Sequence, residues 1–229
     1  MRQGSRSAML AGVAEFVGSR SADRSLRVAV DGPPASGKTT LADELAAVLG
    51  HRGRPVLRAT IDDFLVPRDR RYARGELSGE GCYRDAHDHA ALCRMLLDPL
   101  GPGGDRRIQL AAFDAFADQP LPSHPIVAAD DALLIFDGVF LMRPELRSRW
   151  DLTVFVQTSF ATTIVRAQQR ERAIASQAAI ARRWTKRYLP AQELYFAEAR
   201  PAATADVLVN NDDFRRPSWQ IRAAGQTGC

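Results

Sequence analysis

The stretch Leu26-Arg27-Val28-Ala29-Val30-Asp31-Gly32-Pro33-Pro34-Ala35-Ser36-Gly37-Lys38-Thr39 decides the fold. An apolar run that reads as a strand passes into Gly32 through Thr39, which fits G-x-x-x-x-G-K-[ST], and a helical run begins at Lys38. Strand, glycine loop and helix in that order make a phosphate cradle. Backbone N–H groups of such a loop converge on phosphate oxygens, and the helix N-terminus adds partial positive charge. The lysine reaches the outer phosphates, and the threonine hydroxyl is suited to Mg²⁺. Gly32, Ala35, Ser36, Gly37, Lys38, Thr39 and Thr40 are the candidate phosphate-binding residues. Of 31 Lys and Arg residues only Lys38 and Lys186 are lysine. A compact ammonium is therefore kept where a planar guanidinium would fit poorly between phosphates and a glycine backbone.

At 229 residues and 45% hydrophobic, the chain suits one sizeable core. Residues 1–25 read as a leading helix and linker, 26–214 as the catalytic domain, and 215–229 as a C-terminal tail. A net charge of +4, with basic residues scattered apart from one denser cluster at Arg68, Arg70, Arg71 and Arg74, suits anionic small molecules and is too weak for a nucleic-acid footprint. Cys82, Cys93 and Cys229 are odd in number and lack C-x-x-C spacing, which argues against a disulfide framework or zinc site and for a reducing cytoplasm. No apolar run has the length of a membrane span. The leading helix is left to cover the sheet edge or an interface, so a homo-oligomer stays open.

Apolar strand-like runs alternate with helical ones, the pattern of a parallel sheet covered by helices. Strands are expected at Leu26 to Val30, Pro55 to Ile61, Ala132 to Phe136, Leu152 to Val156 and Asp206 to Val209. Helices are expected at Lys38 to Leu49, Ala86 to Leu97, Phe160 to Arg172 and Ala178 to Ala199, the last broken or bent at Pro190. The fold class is thus α/β, a P-loop NTPase fold with five parallel strands between helices, a hairpin or loop insertion around Ile108 to Phe116, and a helical lid.

Ligands in open α/β sheets bind beyond the carboxyl ends of the strands, so the acids there decide the chemistry. Asp62, in Thr60-Ile61-Asp62-Asp63-Phe64, is placed to accept a proton from a hydroxyl in front of the terminal phosphate, although an N-cap is its structural alternative. Asp137, after Leu133-Leu134-Ile135-Phe136, is placed to hold the water shell of Mg²⁺ beside Thr39. GTPase signals are missing: Asp137-Gly138-Val139-Phe140 lacks Asp-x-x-Gly, and Asn210-Asn211-Asp212-Asp213 is not Asn-Lys-x-Asp. Arg166 and Arg170 share a helix face and suit a lid over the transferring group. His87 and His89 lack a third metal ligand.

Together these residues resemble the uridine kinase branch of the P-loop kinases, a group that includes phosphoribulokinase and bacterial-type pantothenate kinase. Ile61-Asp62-Asp63-Phe64 is similar to the family's Asp-Ser-Phe-Tyr, Asp85-Ala86-His87-Asp88 to Asp-Ala-Phe-Asp, and Phe136-Asp137-Gly138-Val139 to Phe-Glu-Gly-Ile. Tyr188-Leu189-Pro190 through Ala205-Asp206-Val207-Leu208-Val209 continues the likeness, which runs from about Leu26 to Asp213. The resemblance implies an ATP- and Mg²⁺-dependent kinase with Asp62 as base on a nucleoside 5′-hydroxyl. Lys38 and Thr39 would hold the phosphates and metal, Asp137 would support the metal, Arg166 and Arg170 would act from the lid, and Asn211 with Asp213 would lie near adenine. Tyr83, Phe113 and Asp118 are the candidate acceptor contacts, the last two standing where the family has a stacking Tyr and a reading His. Cys82 stands where the family has a ribose-binding Asp. That departure leaves a non-nucleoside acceptor such as pantothenate, or a non-catalytic ATP-binding regulatory module, as alternatives.

Overall fold

In the computed structural model, residues 1–20 and 24–222 are described. Seven strands are hydrogen-bonded into one sheet: β1 (Arg2–Gln3), β2 (Leu26–Asp31), β3 (Val56–Thr60), β4 (Leu133–Gly138), β5 (Leu152–Gln157), β6 (Val207–Asn210) and β7 (Ser218–Ile221). Their spatial order is β1-β7-β6-β5-β2-β4-β3. The pairs from β3 through β6 are all parallel, whereas β7 runs antiparallel to β6 and to β1. The five expected parallel strands are present, but the sheet has seven, which corrects the strand count. Without β7 the edge of β6 would carry unpaired backbone groups. Trp219 also sends its ring into the core, 6% exposed. Part of the stretch set apart as a tail therefore belongs to the sheet; residues 223–229 lie outside the described residues.

Successive residues of a strand face opposite sides of the sheet, and here both sides are covered. Val28, Val30, Leu133 and Ile135 pack with Met9 and Val13 of α1 (Arg6–Gly18) and with Leu41, Leu45 and Leu49 of α2 (Lys38–His51). Ala29, Leu134 and Phe136 face the other way, onto Leu92, Leu96, Leu97 and Trp150. The short helix α3 (Gly79–Arg84) lies against the C-terminal helices. α4 (Phe160–Glu171) and α5 (Gln177–Arg183) form the lid, where Ala167, Ile180 and Trp184 pack with Ala35 of the glycine loop.

The long helix expected after Ala178 meets Pro190 with a change of helix type rather than a break. It runs on through a π-helical turn, Trp184–Tyr188, into α6 (Leu189–Ala199), with Pro190 in the first turn of α6. A proline cannot donate to the preceding turn and crowds the carbonyl four residues back, and widening that turn accommodates both. The insertion holds two nested two-stranded ladders, Arg107–Ile108 with Ile126–Val127 and Phe113–Asp114 with Gln119–Pro120. No helix among the described residues is long and apolar enough to cross a membrane.

Candidate functional site

The loop between β2 and α2 turns through two left-handed residues, Ala35 at φ 60° and Gly37 at φ 90°. Such alternation points successive N–H groups into one concavity that suits an anion. Behind the loop the Ser36 carbonyl accepts from Asn211 Nδ2 at 2.7 Å, Thr158 Oγ1 at 3.3 Å and Arg166 Nη1 at 3.3 Å. Arg166 Nη2 also donates to the carbonyls of Asn211 and Asp212, at 2.7 and 3.2 Å. A Cβ on Gly37 would sit 2.6 Å from Asn211 Nδ2, so glycine is needed there for both its φ and its lack of bulk. At the strand end, buried Asp31 accepts from Gly32 N at 2.7 Å, Met142 N at 3.2 Å and the Tyr195 hydroxyl. Burial pushes its carboxyl up to about 6, against the pull of those donors.

Thr39 Oγ1 donates to Asp137 Oδ2 at 2.6 Å, and Arg58 pairs with Asp137 Oδ1 at 2.6 Å. A threonine hydroxyl and a carboxylate side by side at the foot of the cradle are hard oxygen ligands that fit Mg²⁺. Asp62 lies in the tight turn Ile61–Phe64 that follows β3. Its carboxyl opens onto a cavity of about 380 Å³ that it shares with Lys38, Thr39 and Arg170. Desolvation raises its pKa, Lys38 and Arg170 lower it, and Asp137 adds to the rise. A carboxylate so placed can both stay ionised and take a proton.

Ala35, Gly37, Lys38, Thr39 and Thr40 line one groove with Arg166 and Arg170. Arg170 reaches the cavity beside Asp62 as well, whereas Arg166 does not line it. The Arg166 guanidinium is spent on three carbonyls, so it positions the loop, which corrects its assignment to the acceptor. Asn211 is likewise buried behind the loop, and its side-chain nitrogen holds the Ser36 carbonyl.

Three acceptor contacts fall elsewhere than expected. Tyr83 turns from the cavity into the core, with its hydroxyl on Glu198 at 2.6 Å, because the helical step in α3 that points Cys82 at the cavity rotates the next side chain away. Phe113 is buried in the insertion ladder, whose neighbour Ala112 N donates to the Asp63 carbonyl at 2.9 Å. Asp118 accepts from Arg68 N and from Arg71 Nη2, the latter at 3.2 Å, so it holds a cavity residue without reaching the cavity. Sequence reasoning passed over Arg71, Tyr72, Trp184, Arg187 and Gln192 as cavity lining. The Arg68–Arg74 cluster was a signal for the first of these; Gln192 had none.

No family model matches the chain, and no curated protein matches it. Among solved structures it is similar to a possible uridine kinase from Bacillus stearothermophilus, at 23% identity and TM-score 0.69, covering 88% of this chain and 97% of that one. It is also similar to D-glycerate 3-kinase from Cryptococcus neoformans, at 17% identity and TM-score 0.62, covering 88% and 94%. Phosphoribulokinase from Rhodobacter spheroides follows at 14% identity and TM-score 0.58, covering 82% and 71%. The chain has the fold of the uridine kinase-like P-loop kinases.

Proposed function

We propose that this chain is an ATP- and Mg²⁺-dependent phosphotransferase that moves the terminal phosphate onto a hydroxyl of a small molecule. The observation that carries the reading is Asp62, set on a cavity wall with Lys38 and Arg170 where the glycine loop ends. The acceptor oxygen forms its bond to the terminal phosphorus as the bond from that phosphorus to the bridging oxygen of ADP breaks, and Asp62 takes the hydroxyl proton. Lys38 and Arg170 offset charge on the transferring oxygens. Thr39 and Asp137 would hold Mg²⁺, which when bound neutralises phosphate charge.

The finer reading, a nucleoside 5′-hydroxyl as acceptor, draws support from an aromatic wall of Tyr72, Phe140, Trp184 and Tyr188 able to meet a flat ring. Its hydrogen-bond readers do not reach the cavity, and Cys82 replaces the expected acid. A non-nucleoside acceptor is therefore the second reading, and D-glycerate 3-kinase, by its name, uses this fold for one. A regulatory module would have no use for a base at Asp62.

A coupled ADP-release assay with product detection, run over nucleosides, pantothenate, hydroxy acids and sugar phosphates, tests the activity. Asp62→Asn is expected to lower kcat by roughly 10²- to 10⁴-fold while ATP still binds; turnover that survives the change would sink the assignment.

A further inference from the structure

The cavity beyond Asp62 is lined by four cations, Lys38, Arg71, Arg170 and Arg187, against two carboxylates among the described residues. Arg71 and Arg187, 7% and 5% exposed, both line it, and the Tyr72 ring lies between them at 5.3 and 4.8 Å from their guanidinium carbons. Arg71 has Asp118 on one nitrogen, while its Nε is buried without a partner. Arg187 donates only to the carbonyls of Glu76 and Ser78, at 2.9 and 3.4 Å, and no carboxylate among the described residues pairs with it. A buried guanidinium without an anion is costly, so this arrangement fits a site whose ligand brings the charge.

Two further side chains point the same way. Gln192, 1% exposed on α6, lines the cavity with both amide atoms unpartnered. Buried His87 also lines it, with Nδ1 unpartnered. Burial and the charges of Arg143, Arg187, Arg71 and Lys38 hold that ring neutral. Among the described residues two carboxylates face this space. Glu171 is bound by Arg170 at 2.9 Å and Arg183 at 3.3 Å, which leaves Asp62 free to act as base.

We infer that the acceptor is a hydroxylated anion whose carboxylate or phosphate monoester group sits on Arg71, Arg187 and Gln192 while its hydroxyl faces Asp62. This rests on the kinase reading and narrows it. An acceptor-only anion is complementary to a wall of N–H donors, and a bidentate guanidinium suits either oxyanion. A neutral nucleoside would leave Arg187 without an anion and would bring no charge to the unpartnered Nε of Arg71.

The test uses matched pairs with ATP: D-glycerate and glycerol, ribose 5-phosphate and ribose, pantothenate and pantothenyl alcohol, with uridine as a further neutral probe. Thermal shift beside a non-hydrolysable ATP analogue reads binding, and ADP release reads turnover. At least one anion is expected to bind and react with KM roughly 30-fold or more below its neutral partner. Arg187→Gln should collapse that ratio mainly through KM, Arg187→Lys should restore part of it, and Gln192→Glu should repel the anion by charge alone. Whether the glycerate and pantothenate pairs or the ribose pair responds separates carboxylate from phosphate. A neutral probe that reacts as well as any anion, with KM unmoved in Arg187→Gln, overturns the inference and leaves the kinase standing. Failure of every probe to bind or react overturns both.

Discussion

On the nucleotide side of Asp62 the site is one continuous stretch of chain, β2 to α2, whose back is tied by Asn211, Thr158 and Arg166 to a single carbonyl. On the acceptor side the wall comes from separate segments, Arg71 and Tyr72, Cys82, His87, Trp184 to Tyr188, and Gln192. There Arg71 Nε, His87 Nδ1 and both amide atoms of Gln192 are left without partners, against Ser36 Oγ and Asn211 Oδ1 on the other side. A local loop makes its own mould for phosphate from backbone. The acceptor cavity is made of side chains brought together from afar, and its unmet hydrogen bonds describe what it would hold.

Two glycines test whether these halves are separable. Gly37→Ala forces a left-handed residue to carry a Cβ against Asn211, a strain of about 1–3 kcal/mol, and is expected to weaken ATP roughly tenfold or more in calorimetric titration. Gly79→Ala would set a Cβ 2.6 Å from Pro190 Cβ and displace α6 with Gln192, so acceptor KM should rise while ATP affinity moves far less. Equal losses of ATP affinity in both variants would break the comparison.

Acid should distinguish the halves next. His87 and His89 are pushed down to about 3, chiefly by burial and then by Arg143, so both stay neutral in the fold while the unfolded chain protonates them near 6.5. The unfolded state binds more protons, so their contribution is whole above pH 6.5 and is lost as pH falls toward 3. At pH 5 His87 alone accounts for about 2 kcal/mol. Asp31, raised to about 6, acts in the opposite sense: its contribution is full below about 3.8 and is lost as pH rises through 6. His87→Asn should therefore flatten the acid limb of stability, seen as a difference of about 4–8 °C in melting between pH 7 and pH 5 relative to the parent. An unchanged difference would show that the ring is solvated.

The smallest effect lies at the seam. Arg170 lowers the Asp62 pKa, so Arg170→Gln should move the acid limb of kcat/KM to higher pH, alongside its loss of rate. A limb that stays fixed would mean that another group sets it.

The five parallel strands were legible because each is a largely apolar run, four of them buried on both faces and β3 half-buried at the sheet edge, and the glycine loop because its spacing is set by one turn of backbone. Lys38, Thr39, Asp62 and Asp137 were legible for the same reason: they stand in the loop or at strand ends, where topology alone fixes their place. β1 and β7 were not, since a two-residue edge strand and a four-residue strand beside it carry too little pattern. Tyr83, Phe113 and Asp118 were misplaced because a resemblance matches order along the chain, whereas one helical step decides whether Cys82 or Tyr83 meets the cavity. By itself, then, the sequence determined an α/β fold with a glycine loop and the acids at its strand ends, through local spacing and burial. Only the tertiary structure decided that Arg71, Arg187, His87 and Gln192 share one cavity, because their meeting depends on how the lid and α6 pack over the sheet, about 120 residues along the chain from Arg71.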